Sequence, residues 1–96
     1  EGVEQSYEMA LELLQKAAEQ EYAYAQHNLG VMYYLGDGVE QSYEKAFEWF
    51  QKAAEQGFAQ SQVSLGSMYF AGQGVEKNED KANEWLDKAI KQGYFD

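Results

Sequence analysis

The sequence predicts an all-α protein built as a short array of stacked helices, with about two and a half repeats of 36 residues and five helices. A shift of 36 residues aligns residues 2–37 with 38–73 at 22 of 36 positions, and residues 74–96 keep 11 of 23 positions against 38–60. Apolar residues recur at the helical spacing of three and four and do not alternate with the period of a strand. Repeats of this length bury their apolar faces only by stacking, so residues 1–96 are predicted to form one domain.

One helix of each repeat has a marked beginning and end. In the second repeat its apolar positions place it from about Ser42 to Gln56. Side chains suited to cap the first amides stand at its start in all three repeats: Ser6, Ser42 and Asn78. Glycines that favour the left-handed conformation follow it in the second and third repeats: Gly57 and Gly93. Glu21 holds this position in the first repeat, which predicts backbone strain of about 1–2 kcal/mol there or a different turn.

The other helix of each repeat carries a glycine in its interior. This helix is predicted at about 23–35 and again at 59–71, with Gly30 and Gly66 at equivalent positions. A glycine inside a helix costs about 1 kcal/mol relative to alanine, so its recurrence indicates a compensating contact. Because it has no Cβ, each glycine lets a neighbouring helix approach the backbone closely. The small residues expected to face these glycines are Ala17, Ala53 and Ala89.

The chain is acidic, and all of its cations are lysines. The net charge is −10, from 17 acidic against 7 basic residues, with no arginine and no cysteine. A phosphate backbone would be repelled, which excludes nucleic acid as a partner. The acidity is typical of a solvated surface, with contact to a basic partner as the alternative. The absence of cysteine excludes disulfides but leaves the compartment open, and no apolar run is long enough to insert into a membrane.

The available side chains do not favour catalysis. His27 is the only histidine, and no nucleophile stands beside a base at a recognisable spacing. The glutamates of residues 40–48 recur at helical spacing and are typical of a solvated face. Glu79, Asp80 and Glu84 would offer a metal only oxygen ligands, without a calcium-loop pattern. The sequence therefore predicts a protein that is not an enzyme and that has no cofactor and no metal site.

The repeat resembles that of a known family. "AYAQHNLGVMYYLGDGVEQSYEKAFEWFQKAAEQG" and "AQSQVSLGSMYFAGQGVEKNEDKANEWLDKAIKQG" are similar to the Sel-1-like repeat, with its LGxxYxxGxGV block followed by KAxxWxxKAxxxG. This family is a relative of the tetratricopeptide repeat. The resemblance implies a right-handed α-solenoid of antiparallel helix pairs that serves as a non-catalytic adaptor or scaffold for other proteins. Leu13 in place of tryptophan and Glu21 in place of glycine depart from the pattern, and the cysteine pairs of the secreted, disulfide-linked branch are missing.

By analogy with tetratricopeptide units, the helices at 23–35 and 59–71 line the concave face, and neither contains a charged residue. Helical spacing then predicts a protein-binding groove of aromatic, apolar and amide side chains: Tyr24, His27, Val31, Tyr34, Gln60, Val63, Ser67 and Phe70. The alternative is that the aromatic residues among them and His27 fill the core. Some tetratricopeptide proteins bind a C-terminal carboxylate with lysine and asparagine residues of their inner helices. Neither residue stands at the matching positions here, so no such carboxylate clamp is expected.

The ends of the array are the other candidate surface. The first helix carries apolar residues that lack a preceding partner, namely Met9, Leu11, Leu13 and Leu14. Exposed apolar ends favour association, so a self-associating scaffold is the alternative function and a homo-oligomer the alternative partner. At the far end a polar stripe of Asn83, Asp87 and Lys91 is typical of a terminal cap, which Tyr94 and Phe95 are placed to cover. The chain opens at Glu1 rather than at methionine, which is typical of a piece of a longer protein.

Overall fold

The computed structural model describes residues 2–94, with side chains from residue 8 onward. Its helices are α1 (Gly2–Glu19), α2 (Ala23–Leu35), α3 (Tyr43–Glu55), α4 (Ala59–Ala71) and α5 (Glu79–Lys91). Each helix packs against its neighbours in the sequence in antiparallel order, and the array measures 45 × 24 × 22 Å. The predicted all-α architecture is confirmed, and the predicted bounds of α2 and α4 match those observed. We call α2 and α4 the inner helices, and α1, α3 and α5 the outer helices.

The outer helices α3 and α5 begin and end as predicted. The Ser42 side chain accepts a hydrogen bond from the Lys45 amide (3.2 Å), and the Asn78 side chain accepts one from the Lys81 amide (3.0 Å). Gly57 follows α3 with φ of 92°, and the equivalent glycine after α5 also has a positive φ. Glu21 follows α1 with φ of 71°, the only positive φ of a non-glycine residue in the described part of the chain. The predicted backbone strain is therefore located at Glu21.

The segment GVEQS occurs at residues 2–6 and at 38–42 with two different backbones. Residues 38–42 form the loop before α3, where the Ser42 amide donates to the Tyr33 carbonyl of α2 (2.9 Å). Residues 2–6 are helical and lengthen α1 to 18 residues. Ser6 therefore lies inside a helix, and the prediction that it caps α1 is wrong. Among the described residues no helix precedes α1 to supply a carbonyl equivalent to that of Tyr33, so the same sequence continues the helix instead.

The two helical glycines lie where outer helices approach closely. A Cβ on Gly30 would lie 2.7 Å from the Phe50 ring, and one on Gly66 would lie 2.8 Å from Leu86 Cγ and 3.1 Å from the Ala82 carbonyl oxygen. The predicted close approach is confirmed. The predicted facing residues Ala17, Ala53 and Ala89 are wrong, because the atoms nearest to the two Cβ positions belong to Phe50, Leu86 and Ala82. Contact with these side chains offsets the lost helix propensity.

The core is a series of contacts between successive helices rather than one central body. Ala18 of α1 packs with Ala25 and Leu29 of α2, and Trp49 of α3 lies against this cluster. A second cluster joins α3, α4 and α5 through Ala46, Phe50, Ala54, Leu65, Met68, Tyr69 and Ala82. In the described part of the chain, no helix has the length and apolar character that a membrane span requires.

Buried glutamines link successive outer helices across each inner helix. Gln26 Nε2 donates to the Ala18 carbonyl (3.1 Å), and Gln26 Oε1 accepts from Gln56 Nε2 (3.0 Å). One repeat later, Gln62 bonds the end of α3 (3.2 Å) and accepts from Gln92 Nε2 (2.8 Å). Each of these carbonyls lies in the last helical turn and also accepts from the amide of the following turn, Glu21 to Ala18 (3.0 Å) and Gly57 to Ala54 (2.9 Å), so the glutamine supplies a second hydrogen bond. The spacing of 36 residues between the two glutamine pairs is visible in the sequence, but their hydrogen bonds are not.

Candidate functional site

A groove lies between the two inner helices, with a buried ring of α3 as its floor. Its lining residues are Val31, Tyr34 and Leu35 of α2, Phe50 of α3, and Val63, Ser64, Ser67 and Met68 of α4. We call this the α2/α4 groove. Its volume is about 270 Å³, and none of its lining residues is charged. The Ser64 hydroxyl donates to the Gln60 carbonyl (3.1 Å), so the hydroxyl proton of Ser64 is already used within α4.

Two hydrogen bonds join α2 to the second repeat, one at each end of the groove. Near the start of both inner helices, His27 Nδ1 and Ser61 Oγ share a hydrogen bond of 2.7 Å. Near their ends, the Tyr34 hydroxyl donates to Gln73 Oε1 at 2.9 Å. Together the bonds fix the spacing of α2 and α4. The apolar side chains of the groove lie between them, which makes the groove pre-formed.

His27 is half-buried between aromatic rings. Its ring centroid lies 5.3 Å from that of Phe50 and 5.3 Å from that of Phe58. Tyr24 contacts Phe58 edge-on with a centroid distance of 6.0 Å. Burial lowers the pKa of His27 below the usual 6.5, because the charged imidazolium loses hydration there. The neutral imidazole is therefore the favoured form, and it joins the two repeats rather than facing the open groove.

The predicted binding residues fall into two groups. Val31, Tyr34, Val63 and Ser67 come together in the groove. The other four lie outside its lining: Tyr24, His27, Gln60 and Phe70. Sequence reasoning missed Leu35, Phe50, Ser64 and Met68, of which Leu35 is 64% exposed. Leu35 stands four residues after Val31, so helical spacing alone could have placed it on this face.

The acidic residues of the described part of the chain do not cluster as metal ligands. The described residues contain no group of three or more histidine or carboxylate side chains that could hold a metal ion. Glu79 lies 3.9 Å from Lys77 in an exposed ion pair, which contributes little to stability. Three lysines of the outer helices lie over aromatic rings: Lys45 over Tyr33, Lys52 over Trp49 and Lys88 over Trp85, at 5.4, 5.5 and 5.7 Å.

The two ends of the array differ in polarity. At the first end Met9 and Leu13 are 62% and 66% exposed, whereas Leu11 and Leu14 pack partly against α2. At the far end the predicted polar stripe is exposed, and Asp87 pairs with Lys91 at 3.3 Å. Tyr94 is exposed, and Phe95 lies outside the described residues.

The model of one protein family, the Sel1 repeat, matches the chain at residues 1–22, 23–58 and 59–94. The chain belongs to the Sel1 repeat family. The two complete matches each begin where an inner helix begins and end after the following outer helix. Sel1 repeat modules are generally protein-interaction scaffolds.

Solved Sel1 repeat structures are similar to most of the chain. A Sel1 repeat protein from Oxalobacter formigenes superposes with a TM-score of 0.82 at 44% identity, over 83% of this chain and 61% of that one. A protective antigen of uropathogenic Escherichia coli with the same repeat fold gives a TM-score of 0.86 at 40% identity, over 88% of this chain and 18% of that one. Cysteine-rich protein B of Helicobacter pylori gives 0.80 at 32% identity, over 83% of this chain and 60% of that one.

The chain thus spans less than two thirds of the length of each of these proteins. No curated protein is significantly similar to it.

Proposed function

We propose that this Sel1 repeat module acts without catalysis, as an adaptor that holds an apolar segment of a partner protein in the α2/α4 groove. The observation that carries the proposal is an uncharged, pre-formed groove between two helices that contain no charged residue, in a chain with a net charge of −10. In such an acidic protein, a surface without charged residues is more typical of a contact with another protein than of a surface that faces only solvent.

The size of the groove indicates which kind of ligand it can bind. Its volume of about 270 Å³ lies below the range of roughly 300–1,000 Å³ that is usual for small-molecule sites. One large apolar side chain of a partner, anchored between Val31 and Val63, suits this space. The exposed side chain of Leu35 extends the contact beyond the anchor, and Ser67 offers a hydroxyl for the partner backbone. The partner is therefore a peptide or protein segment with an apolar anchor residue.

The test compares two equally simple variants. Peptides are selected from a random display library on the immobilised protein, and their affinity for Leu35→Asp and for Ile90→Asp is measured. Leu35 and Ile90 are 64% and 52% exposed, so both variants should fold, but only Leu35 lines the groove. We expect Leu35→Asp to weaken binding by about tenfold or more and Ile90→Asp to leave it unchanged. Equal affinities of the two variants would contradict the proposal.

Tyr34→Ala is a less suitable probe, because Tyr34 supports the fold as well as the groove. Its hydroxyl bonds Gln73, and its ring lies 5.1 Å from that of Tyr43. A loss of binding in that variant could come from the missing contact between Tyr34 and the peptide or from a displacement of α2. Unchanged circular dichroism and an unchanged unfolding midpoint are therefore required before its affinity is interpreted.

Self-association through the ends is the second candidate function. The exposed Met9 and Leu13 favour it at the first end of the array. Light scattering across a hundredfold dilution tests it directly. A constant mass of one chain supports the adaptor, whereas a mass that falls on dilution and is reduced by Leu13→Glu supports the scaffold.

A further inference from the structure

Tyr24 is an exposed aromatic residue at the start of α2, on the helical face that leads into the α2/α4 groove. It stands seven residues before Val31, which is about two helical turns, so the two side chains share one face of α2. Tyr24 is 66% exposed, and its ring makes an edge contact with Phe58. The anchor of the proposed function lies between Val31 and Val63 and leaves Tyr24 without a role.

The exposure of Tyr24 does not come from its place in the first repeat. Gln60 holds the same position in the second repeat, with a complete helix pair, α2 and α3, before it, and Gln60 is also exposed. The following repeat is present at Tyr24 and supplies Phe58. Stacking of successive repeats therefore leaves this position open, and a further contact on the Tyr24 ring must come from a ligand.

A continuous series of rings joins Tyr24 to the floor of the groove. The ring centroid of His27 lies 5.3 Å from those of Phe50, which forms the floor, and Phe58. The ring of Tyr24 lies 6.0 Å from that of Phe58. Along the helix axis Tyr24 precedes Val31 by about 10 Å, at about 1.5 Å per residue. An extended peptide covers this distance in about three residues, so a segment anchored at Val31 can place a nearby side chain over Tyr24.

Other aromatic rings of the chain already have a cation over them. The negative face of an aromatic ring attracts a cation. Lysines of this chain make that contact three times, over the rings of Tyr33, Trp49 and Trp85. No lysine of the described residues lies over Tyr24, and neither inner helix contains a charged residue. Tyr24 therefore offers the same contact to a cation from another molecule.

The charges near the start of the inner helices favour such a cation. Exposed glutamates stand beside the turns that precede α2 and α4, namely Glu19, Glu21 and Glu55. The lysines before these turns, Lys16 and Lys52, belong to the outer helices, and Lys52 lies over the Trp49 ring. His27 does not repel a cation, because burial lowers its pKa and favours the neutral imidazole. The net charge of −10 attracts basic ligands at longer range.

We propose that the ring of Tyr24 binds a lysine or arginine side chain of the partner segment whose apolar anchor occupies the α2/α4 groove. This inference rests on the proposed function and adds the chemistry of the partner to it. The basic residue stands about two to four positions from the anchor, as the distance from Tyr24 to Val31 requires. It lies on the side of the anchor that points to the start of α2. The contact uses the face of the ring and not the hydroxyl group.

The test is a double-mutant cycle with peptides selected from the random display library. A selected peptide with lysine or arginine at this spacing is compared with the same peptide carrying glutamine there. We expect Tyr24→Leu, which keeps an apolar side chain but removes the ring, to weaken the basic peptide by about two- to fivefold. The glutamine peptide should bind the wild-type protein and Tyr24→Leu equally. Tyr24→Phe, which keeps the ring, should bind the basic peptide about as tightly as the wild-type protein does.

Circular dichroism verifies the fold of each variant, and Tyr24 is exposed, so all should fold. If Tyr24→Leu alters the spectrum, Tyr24→Gln takes its place, because it copies Gln60 of the second repeat.

The Leu35→Asp variant separates failure of this inference from failure of the adaptor function. Peptides that need Leu35 but carry no basic residue at this spacing overturn the inference alone. So does a glutamine replacement that costs no affinity, or one that costs the same in the wild-type protein and in Tyr24→Leu. An equal loss in Tyr24→Phe and Tyr24→Leu overturns binding by the ring. Peptides indifferent to Leu35→Asp, or a selection without binders, contradict the adaptor function and this inference with it.

Discussion

Glu21→Gly is expected to stabilise the protein, because Glu21 holds a backbone conformation that favours glycine. Its φ of 71° lies in the left-handed region, where a Cβ crowds the following carbonyl. The two equivalent positions in the chain are glycines with φ of 92° and 82°. The turn itself is the same, since the Tyr22 amide donates to the Ala17 carbonyl (3.2 Å) as the Phe58 amide does to that of Ala53 (3.1 Å).

The magnitude follows from three opposing contributions. Relief of the left-handed conformation gains about 1–2 kcal/mol. The greater freedom of glycine in the unfolded chain costs about 0.4–1 kcal/mol. The hydrogen bond from Gln26 Nε2 to Glu21 Oε1 is lost, but at 3.3 Å it is long, and Gln26 keeps its bonds to Ala18 and Gln56. The midpoints of these ranges give a net gain of about 0.8 kcal/mol, or a rise of about 3–6 °C in Tm for a domain of this size.

Urea and thermal unfolding followed by circular dichroism measure this gain. Gly57→Ala is the matched control, because a Cβ there meets no atom within 4 Å and only the backbone conformation changes. We expect Gly57→Ala to lower the free energy of unfolding by about 1 kcal/mol, the reverse of the effect at Glu21. If Glu21→Gly leaves the midpoint unchanged or lowers it while Gly57→Ala destabilises, then no strain is stored at Glu21 and the reasoning is refuted.

Two further predictions concern the inner helices. Gly66→Ala should lower the free energy of unfolding by about 1–3 kcal/mol in urea titrations despite the better helix propensity of alanine, because its Cβ would meet Leu86 and the Ala82 carbonyl; a neutral effect would exclude the close approach. His27 has a lowered pKa, so the unfolded state binds its proton first and the free energy of unfolding should fall as pH drops below about 6.5. His27→Val, which copies Val63 of the next repeat, should flatten the pH dependence in this window, and equal slopes for both proteins would contradict the assignment.

The repeat period allowed the helices to be predicted, because the same boundary signals appear more than once. Ser42 and Asn78 cap their helices as expected, and α2 and α4 have the predicted bounds. The prediction failed at Ser6, although its local sequence is identical to that around Ser42. What differs there is a tertiary contact, the Tyr33 carbonyl, and no local pattern contains it.

The groove could be predicted only in part, because helical spacing gives the faces of one helix but not how neighbouring helices cross. Spacing placed Val31 and Val63 on one surface correctly. It did not reveal that Phe50 rather than Ala53 would lie under Gly30 and form the floor. Nor did it reveal that Ser61 would hold His27 away from the open groove, since a buried serine and a solvated one look alike in sequence.

The most direct test of the adaptor function is to map a library-selected peptide on the labelled protein by amide chemical shifts. We predict the largest shifts at residues 31–35 and 63–68, on the facing sides of α2 and α4, and their loss in Leu35→Asp. Shifts confined to the outer helices, with residues 63–68 unchanged, would contradict binding in the α2/α4 groove.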